Sequence, residues 1–193
     1  MELLKNRILA EGRALSEQVL LVDSFLNHQV DVKLMKACGE EFARRFADAG
    51  ITRVVTIEAS GITPAAMTAL TMDLPMVIMK KQVSSILKDG IIQTEVFSFT
   101  KNAPYLLTLK TDFIQPGDRV LLIDDFLANG EAATGACRLI EQTGARVPAI
   151  GIVIEKSFQP GRGILSQKGY RVISLARVGR MGENSIEFLP ADA

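Results

Sequence analysis

Residues 120–135 read Val-Leu-Leu-Ile-Asp-Asp-Phe-Leu-Ala-Asn-Gly-Glu-Ala-Ala-Thr-Gly, so Asp124 and Asp125 stand side by side where an apolar run closes. Two neighbouring carboxylates repel one another, and hydroxyl donors, a metal ion or bulk water must compensate them. A sugar diol supplies two hydroxyl donors side by side. Ala128, Asn129, Gly130, Glu131 and Ala132 follow, mostly small, and lead into a helical pattern. The unpaired N–H groups and the dipole of a helix N-terminus attract anions, and small side chains let a phosphate reach the backbone. Acids for a diol and amides for a phosphate thus lie a few residues apart. A plainer reading stays open, in which Asp124-Asp125 closes a strand and Asn129-Gly130 is a tight turn. The segment has no Gly-Lys-Ser/Thr of a P-loop and no GxGxxG of a dinucleotide site.

To bind a ligand, the segment has to lie at the carboxyl end of a strand in a parallel sheet. The sequence predicts such a sheet. Five runs rich in Val, Ile and Leu, at 53–57, 76–79, 119–123, 149–154 and 171–175, lack polar alternation. That is the pattern of strands covered on both faces. Between them, 32–49 carries a helical stripe of Leu34, Ala37, Cys38, Phe42 and Phe46 and stops at Gly50. The helix expected over 63–72 opens with Thr63 as cap and Pro64 at the first helical position. A third, over 131–143, carries Ala133, Ala136, Cys137 and Ile140 and stops at Gly144. Strand and helix alternate, so the predicted class is α/β, a central parallel sheet flanked by helices. Residues 1–31 precede this sheet. Residues 81–112 form an insert in which Lys88-Asp89-Gly90 signals a turn and 93–99 with 105–110 read as a β-hairpin. Inserts of that length are often mobile functional elements.

The 193 residues fit one domain, and 48% apolar residues suffice for a core without disulfides or a structural metal. Lys+Arg and Asp+Glu balance at 22 each, which argues against a nucleic-acid partner. Cys38, Cys137 and the lone His28 form no zinc-ligand pattern, and both cysteines read as reduced thiols in helices. The N-terminus lacks the basic start and apolar core of a signal peptide, and no apolar run approaches the roughly 20 residues of a bilayer span. The expectation is a soluble, cytoplasmic protein with no membrane partner.

The segment 120–135 resembles the thirteen-residue motif of type I phosphoribosyltransferases, which bind phosphoribosyl pyrophosphate (PRPP). Further stretches are similar to the bacterial xanthine phosphoribosyltransferases: Leu20 to Gln29, Ser98-Phe99-Thr100-Lys101, Asp124 to Gly130, and Gly151 to Gly161 with its Glu155-Lys156-Ser157-Phe158. The resemblance spans nearly the whole chain. It implies the type I phosphoribosyltransferase fold in a single domain, with a small hood mainly at 1–31, a core at about 50–180 and a flexible insert at 81–112. It also implies a glycosyltransferase of purine salvage that moves the ribose 5-phosphate of PRPP to xanthine, with Mg²⁺ accompanying PRPP and no metal bound directly by the protein. A homodimer is the expected assembly. The rivals are a guanine or hypoxanthine enzyme and a non-catalytic PRPP-sensing regulator.

Under the resemblance Asp124 and Asp125 become the catalytic pair. Ala128, Asn129, Gly130, Glu131 and Ala132 hold the 5-phosphate of PRPP. The phosphate loop of most such enzymes is Thr-Gly-Gly-Thr, so Glu131 puts a carboxylate where hydroxyls are usual. Ser60 and Gly61, in the turn Glu58 to Thr63, and Lys81 face the pyrophosphate. Leu20, Asn27 and Lys156 contact xanthine, the lysine suiting a base whose 2- and 6-oxygens are acceptors. Phe126 and Phe158 are candidates to stack on the base. His28 reads as a residue of a polar turn.

Overall fold

The computed structural model describes residues 1–81, 89–98, 103–183 and 185–192. Lys88 of the expected turn and Phe99, Thr100 and Lys101 of the expected motif lie outside the described residues. The chain runs through α1 (Glu2–Glu11), β1 (Arg13–Ala14), β2 (Leu20–Leu21), a π-helical turn (Asp23–Asn27), α2 (Val32–Arg45), β3 (Arg53–Ile57), α3 (Ile62–Met72) and β4 (Met76–Met79). There follow β5 (Ile91–Ser98), β6 (Ala103–Lys110), a short 3-10 turn, β7 (Arg119–Leu127), α4 (Glu131–Gln142), β8 (Arg146–Lys156), α5 (Gly161–Gln167), β9 (Arg171–Gly182) and β10 (Ser185–Phe188).

Six strands form the central sheet in the order β10-β9-β8-β7-β3-β4. All neighbours are parallel except β10, which runs antiparallel to β9. After β3 the chain steps outward to β4. It then returns to β7 on the other side of β3 and continues through β8 to β9. The direction of winding therefore reverses between β3 and β7, and sheets of this kind bind ligands beyond the carboxyl ends of the strands at that reversal.

Successive strand residues point to opposite faces, and the core divides accordingly. Val54, Leu121 and Ile123 join Leu4, Ile8, Phe25, Phe42 and Phe46 on one face. Val55, Val120 and Leu122 join Ala136, Ile140 and the hairpin residues Val96 and Leu107 on the other. The edge strand β4 is the exception to the expected two-sided burial, because Met76 and Ile78 are half-buried.

Each expected helix forms, with shifted ends. The Asp31 side chain caps α2 by accepting from the Leu34 N–H at 3.0 Å, and the helix ends at Arg45, short of Gly50. The capping role expected of Thr63 falls to Gly61, and α3 starts at Ile62. The tight turn at Ser60-Gly61 already aligns the Gly61 carbonyl to accept from the Ala65 N–H at 3.1 Å. Pro64 still sits in the first turn, where its missing N–H costs nothing. The insert's described part is an antiparallel pair, β5 with β6, seated on α4. Arg138 donates to Thr94 Oγ1 at 2.7 Å. Lys80 and Thr108 exchange backbone hydrogen bonds of 3.0 and 2.8 Å, fastening the hairpin to the end of β4.

Candidate active site

Asp124 and Asp125 lie within β7 rather than after it, since that strand continues to Leu127. Alternation sends the two side chains to different surroundings. Asp124 is 7% exposed, and Asp125 is half-buried. Burial, and then the charge of Asp125, raise the Asp124 carboxyl well above its ordinary range. The Asp125 N–H donates to Asp124 Oδ1 at 3.0 Å. The loop after β3 closes over this pair. A Cβ on Gly61 would lie 3.1 Å from Asp124 Oδ1 and 2.5 Å from Thr56 Oγ1, so the backbone reaches the acid only because position 61 lacks a side chain.

The N-terminal segment reaches the same point. The Asn27 amide nitrogen donates to Ser60 Oγ at 2.8 Å and to Asp125 Oδ2 at 3.4 Å. One amide thus joins three of the expected site residues from three parts of the chain. His28, its neighbour, is an exposed residue closing the π-helical turn.

Lys80 and Lys81 follow β4 at the same edge, and Glu58 orders them. Its carboxylate accepts the Lys81 N–H at 2.6 Å and pairs with Lys80 Nζ at 3.1 Å. Burial opposes the charge on Glu58, but these contacts outweigh it and hold its pKa below the ordinary value. Lys81 Nζ stands 5.8 Å from the centre of the Tyr105 ring. Tyr105 belongs to β6, and burial followed by the charge of Asp124 pushes its hydroxyl up to about 12. The hairpin thus delivers an aromatic residue beside the acid pair.

The loop 128–132 follows β7 and runs into α4. Gly130 is the N-cap of α4, with a φ of 84° that favours glycine. Ala128, Asn129 and Ala132 are half-buried, while Glu131 is exposed at the first position of α4. The loop is braced from behind, because the Gly161 N–H donates to the Ala128 carbonyl at 3.0 Å.

Lys156 closes the neighbouring strand, β8. Its Nζ donates to the Gln18 carbonyl at 2.6 Å and stands 5.4 Å from the centre of the Phe126 ring. Burial lowers its pKa. Leu20 is buried two residues after Gln18. Phe126 is half-buried beside this lysine, whereas Phe158 is 41% exposed. The site therefore has two poles on adjacent strands, a cation over an aromatic ring and an acid pair beside an amide-rich turn.

Tyr105, Gln18 and Gly161 were not among the expected site residues, and Glu58 was expected only as part of its turn. Tyr105 and Gln18 arrive from non-local parts of the chain, and only the Pro160-Gly161 pair at a helix start carried a local signal. Among the described residues no group of three or more His, Cys, Asp or Glu side chains could hold a metal ion. No described helix is long and apolar enough to cross a membrane.

No family model matches the chain. It is 59% identical over 189 residues to xanthine phosphoribosyltransferase 1 of Clostridium botulinum, covering 98% of this chain and 100% of the relative. It is 58% identical to the xanthine phosphoribosyltransferase of Clostridium acetobutylicum over 98% of this chain and 100% of the relative. The Streptococcus pneumoniae enzyme of that name is 52% identical over 100% of both. Among solved structures, adenine phosphoribosyltransferase from Rhodothermus marinus superposes with a TM-score of 0.74 at 24% identity, over 92% of this chain and 100% of that one. The Giardia lamblia enzyme complexed with 9-deazaadenine gives 0.76 at 22% identity, over 90% and 97%. These structural likenesses carry the fold alone.

Proposed function

This chain belongs to the xanthine phosphoribosyltransferase family, and we propose from that premise that its site joins xanthine to the ribose 5-phosphate of PRPP. The products are xanthosine 5′-monophosphate (XMP) and pyrophosphate, a purine salvage reaction. The bond from C1′ to the pyrophosphate oxygen breaks, and the bond from C1′ to N9 of the purine forms. The observation that carries this reading is the pairing of poles on β7 and β8. Asp124 and Asp125 suit the ribose hydroxyls, and Lys156 with Phe126 suits an oxygen-bearing purine.

The protein's task is positioning, charge stabilisation and water exclusion. The acid pair steadies the positive charge that develops on the sugar as pyrophosphate departs. Ala128, Asn129, Gly130, Glu131 and Ala132 receive the 5-phosphate on backbone N–H groups. Ser60, Gly61 and Lys81 face the pyrophosphate. Leu20 and Asn27 border the base. Mg²⁺ is a hard cation that keeps oxygen and water ligands. Held by the oxygens of PRPP rather than directly by the protein, it would neutralise the leaving pyrophosphate.

Lys156 also selects among bases. It donates to the 6-oxygen of xanthine, which guanine and hypoxanthine share, while adenine presents a donor there. The guanine reading is therefore the second one. Initial rates with PRPP, Mg²⁺ and each of four purines test the assignment, with xanthine expected to be used best. Guanine used faster than xanthine would replace the substrate. No nucleotide from any purine would remove the enzyme reading. Changing Asp124→Asn together with Asp125→Asn should abolish turnover while the circular dichroism of the fold persists.

Further parts of the proposal are a hood formed by 1–31, a core at about 50–180, a homodimeric assembly and a cytoplasmic location. The contact of Asn27 with Ser60 supports the hood. The buried free thiols of Cys38 and Cys137 are in keeping with a reducing compartment. Light scattering on the purified protein tests the dimer.

A further inference from the structure

Glu155 and Lys156 are consecutive on β8, so their side chains leave the strand in opposite directions. Lys156 turns to the base pole. Glu155 turns inward, is 1% exposed, and is surrounded by donors. Arg162 approaches it through Nε, at 2.9 Å from Oε1 and 2.8 Å from Oε2, and through Nη2. Ser157 donates to Oε1 at 2.7 Å, and Ser174 donates to Oε2. Arg162 is itself held, donating to the Val172 carbonyl at 3.2 Å and to Asp192 Oδ2 at 2.7 Å.

Arg162 is the second residue of α5, and the first residue, Gly161, is the brace of the phosphate loop. That contact has no slack. A Cβ on Gly161 would lie 2.4 Å from the Ala128 carbonyl oxygen and 2.9 Å from the Gly130 nitrogen. Any displacement of the start of α5 is therefore felt at Ala128 and Gly130. A run from Glu155 to Arg162 thus starts beside the lysine of the base pole and ends beside the glycine against the phosphate loop. Glu155 and Arg162 tie its two ends together through a bidentate bond.

A buried ion pair is weak evidence of stability, since an apolar pair of similar size often serves equally well. Its value here is geometric. We propose that Glu155 and Arg162 are a positioning pair that fixes the separation between the base grip at Lys156 and the phosphate grip at Ala128–Gly130. The inference rests on the reading of this site as one that binds a purine nucleotide. Neither residue touches the substrate. The pair acts through the start of α5 and the end of β8, so a ligand that spans both grips depends on it more than a ligand that engages one.

The test compares XMP, which spans both grips, with ribose 5-phosphate, which engages only the phosphate grip. Calorimetric titrations would use the parent protein and the double variant Glu155→Gln with Arg162→Gln, which removes one charge of each sign and leaves Arg177 paired with Asp192 at 3.2 Å. XMP affinity should fall about tenfold or more, and ribose 5-phosphate affinity should change by less than about threefold. A merely structural role would reduce the number of binding sites and leave the affinities unchanged. That result, or equal losses for both ligands, would overturn the inference. Should the double variant fail to fold, Arg162→Lys keeps the charge while losing the fork, and the same unequal loss is expected of it. Parent protein that binds ribose 5-phosphate but not XMP would instead overturn the nucleotide reading, and the inference with it.

Discussion

Asp124 is held under conditions that oppose its own charge. A free aspartate ionises near the ordinary value of 3.8, and burial together with Asp125 raises this one well above it. Between the two values the folded state keeps a proton that the unfolded state has released. The stability this group contributes is complete below the unfolded value and is lost as pH rises through the folded one. Asp124→Asn removes that loss. It should stabilise the fold at neutral pH, with the gain shrinking as pH falls toward the ordinary value of 3.8. Thermal melts across pH read this directly. The same variant should lose about 100-fold or more in kcat/KM, because the charge serves the transition state. Lys156→Gln keeps a donor but removes its charge, and kcat/KM for xanthine should drop about 10- to 100-fold in initial-rate assays. The acid pair declares itself locally in the sequence, whereas Lys156 stood out only through the resemblance. Tyr105 was not legible, since its place beside Asp124 depends on where a hairpin docks.

Gly130 and Gly161 meet across two elements, the start of α4 and the start of α5. A Cβ on Gly130 would lie 3.0 Å from the Gly161 Cα, and the φ of 84° disfavours any other residue. Gly130→Ala should cost about 1–3 kcal/mol of stability in denaturant melts and raise the KM for PRPP more than that for xanthine. The strands at 53–57 and 76–79 stand where the apolar runs placed them, because buried parallel strands are written as unbroken apolar stretches. The ends of β7, β8 and β9 were less legible. Those strands run on past their apolar cores into polar residues such as Asp125 and Lys156, where backbone pairing with a neighbour continues the strand. Helix α1 carries little amphipathic pattern of its own, and packing of Leu4 and Ile8 into the core defines it.

In the whole molecule the acid pair of β7 stands beside the point where the winding of the sheet reverses, between β3 and β7. A ligand that binds only the folded state stabilises it by mass action. PRPP with Mg²⁺ at about one hundred times its dissociation constant should therefore add about 2.7 kcal/mol. Scanning calorimetry with and without a chelator measures the gain, and removing Mg²⁺ should reduce it. The α/β class followed from alternation alone, whereas the strand order required the structure, because local patterns do not say which strand lies beside which. The sheet also tapers. Its central strands β7, β8 and β9 have 9, 11 and 12 residues, and its outermost strands, β4 and β10, have 4 each. Short margins offer a poor template for another chain to pair with. Crowded or partly unfolded molecules should thus resist zipping together strand to strand.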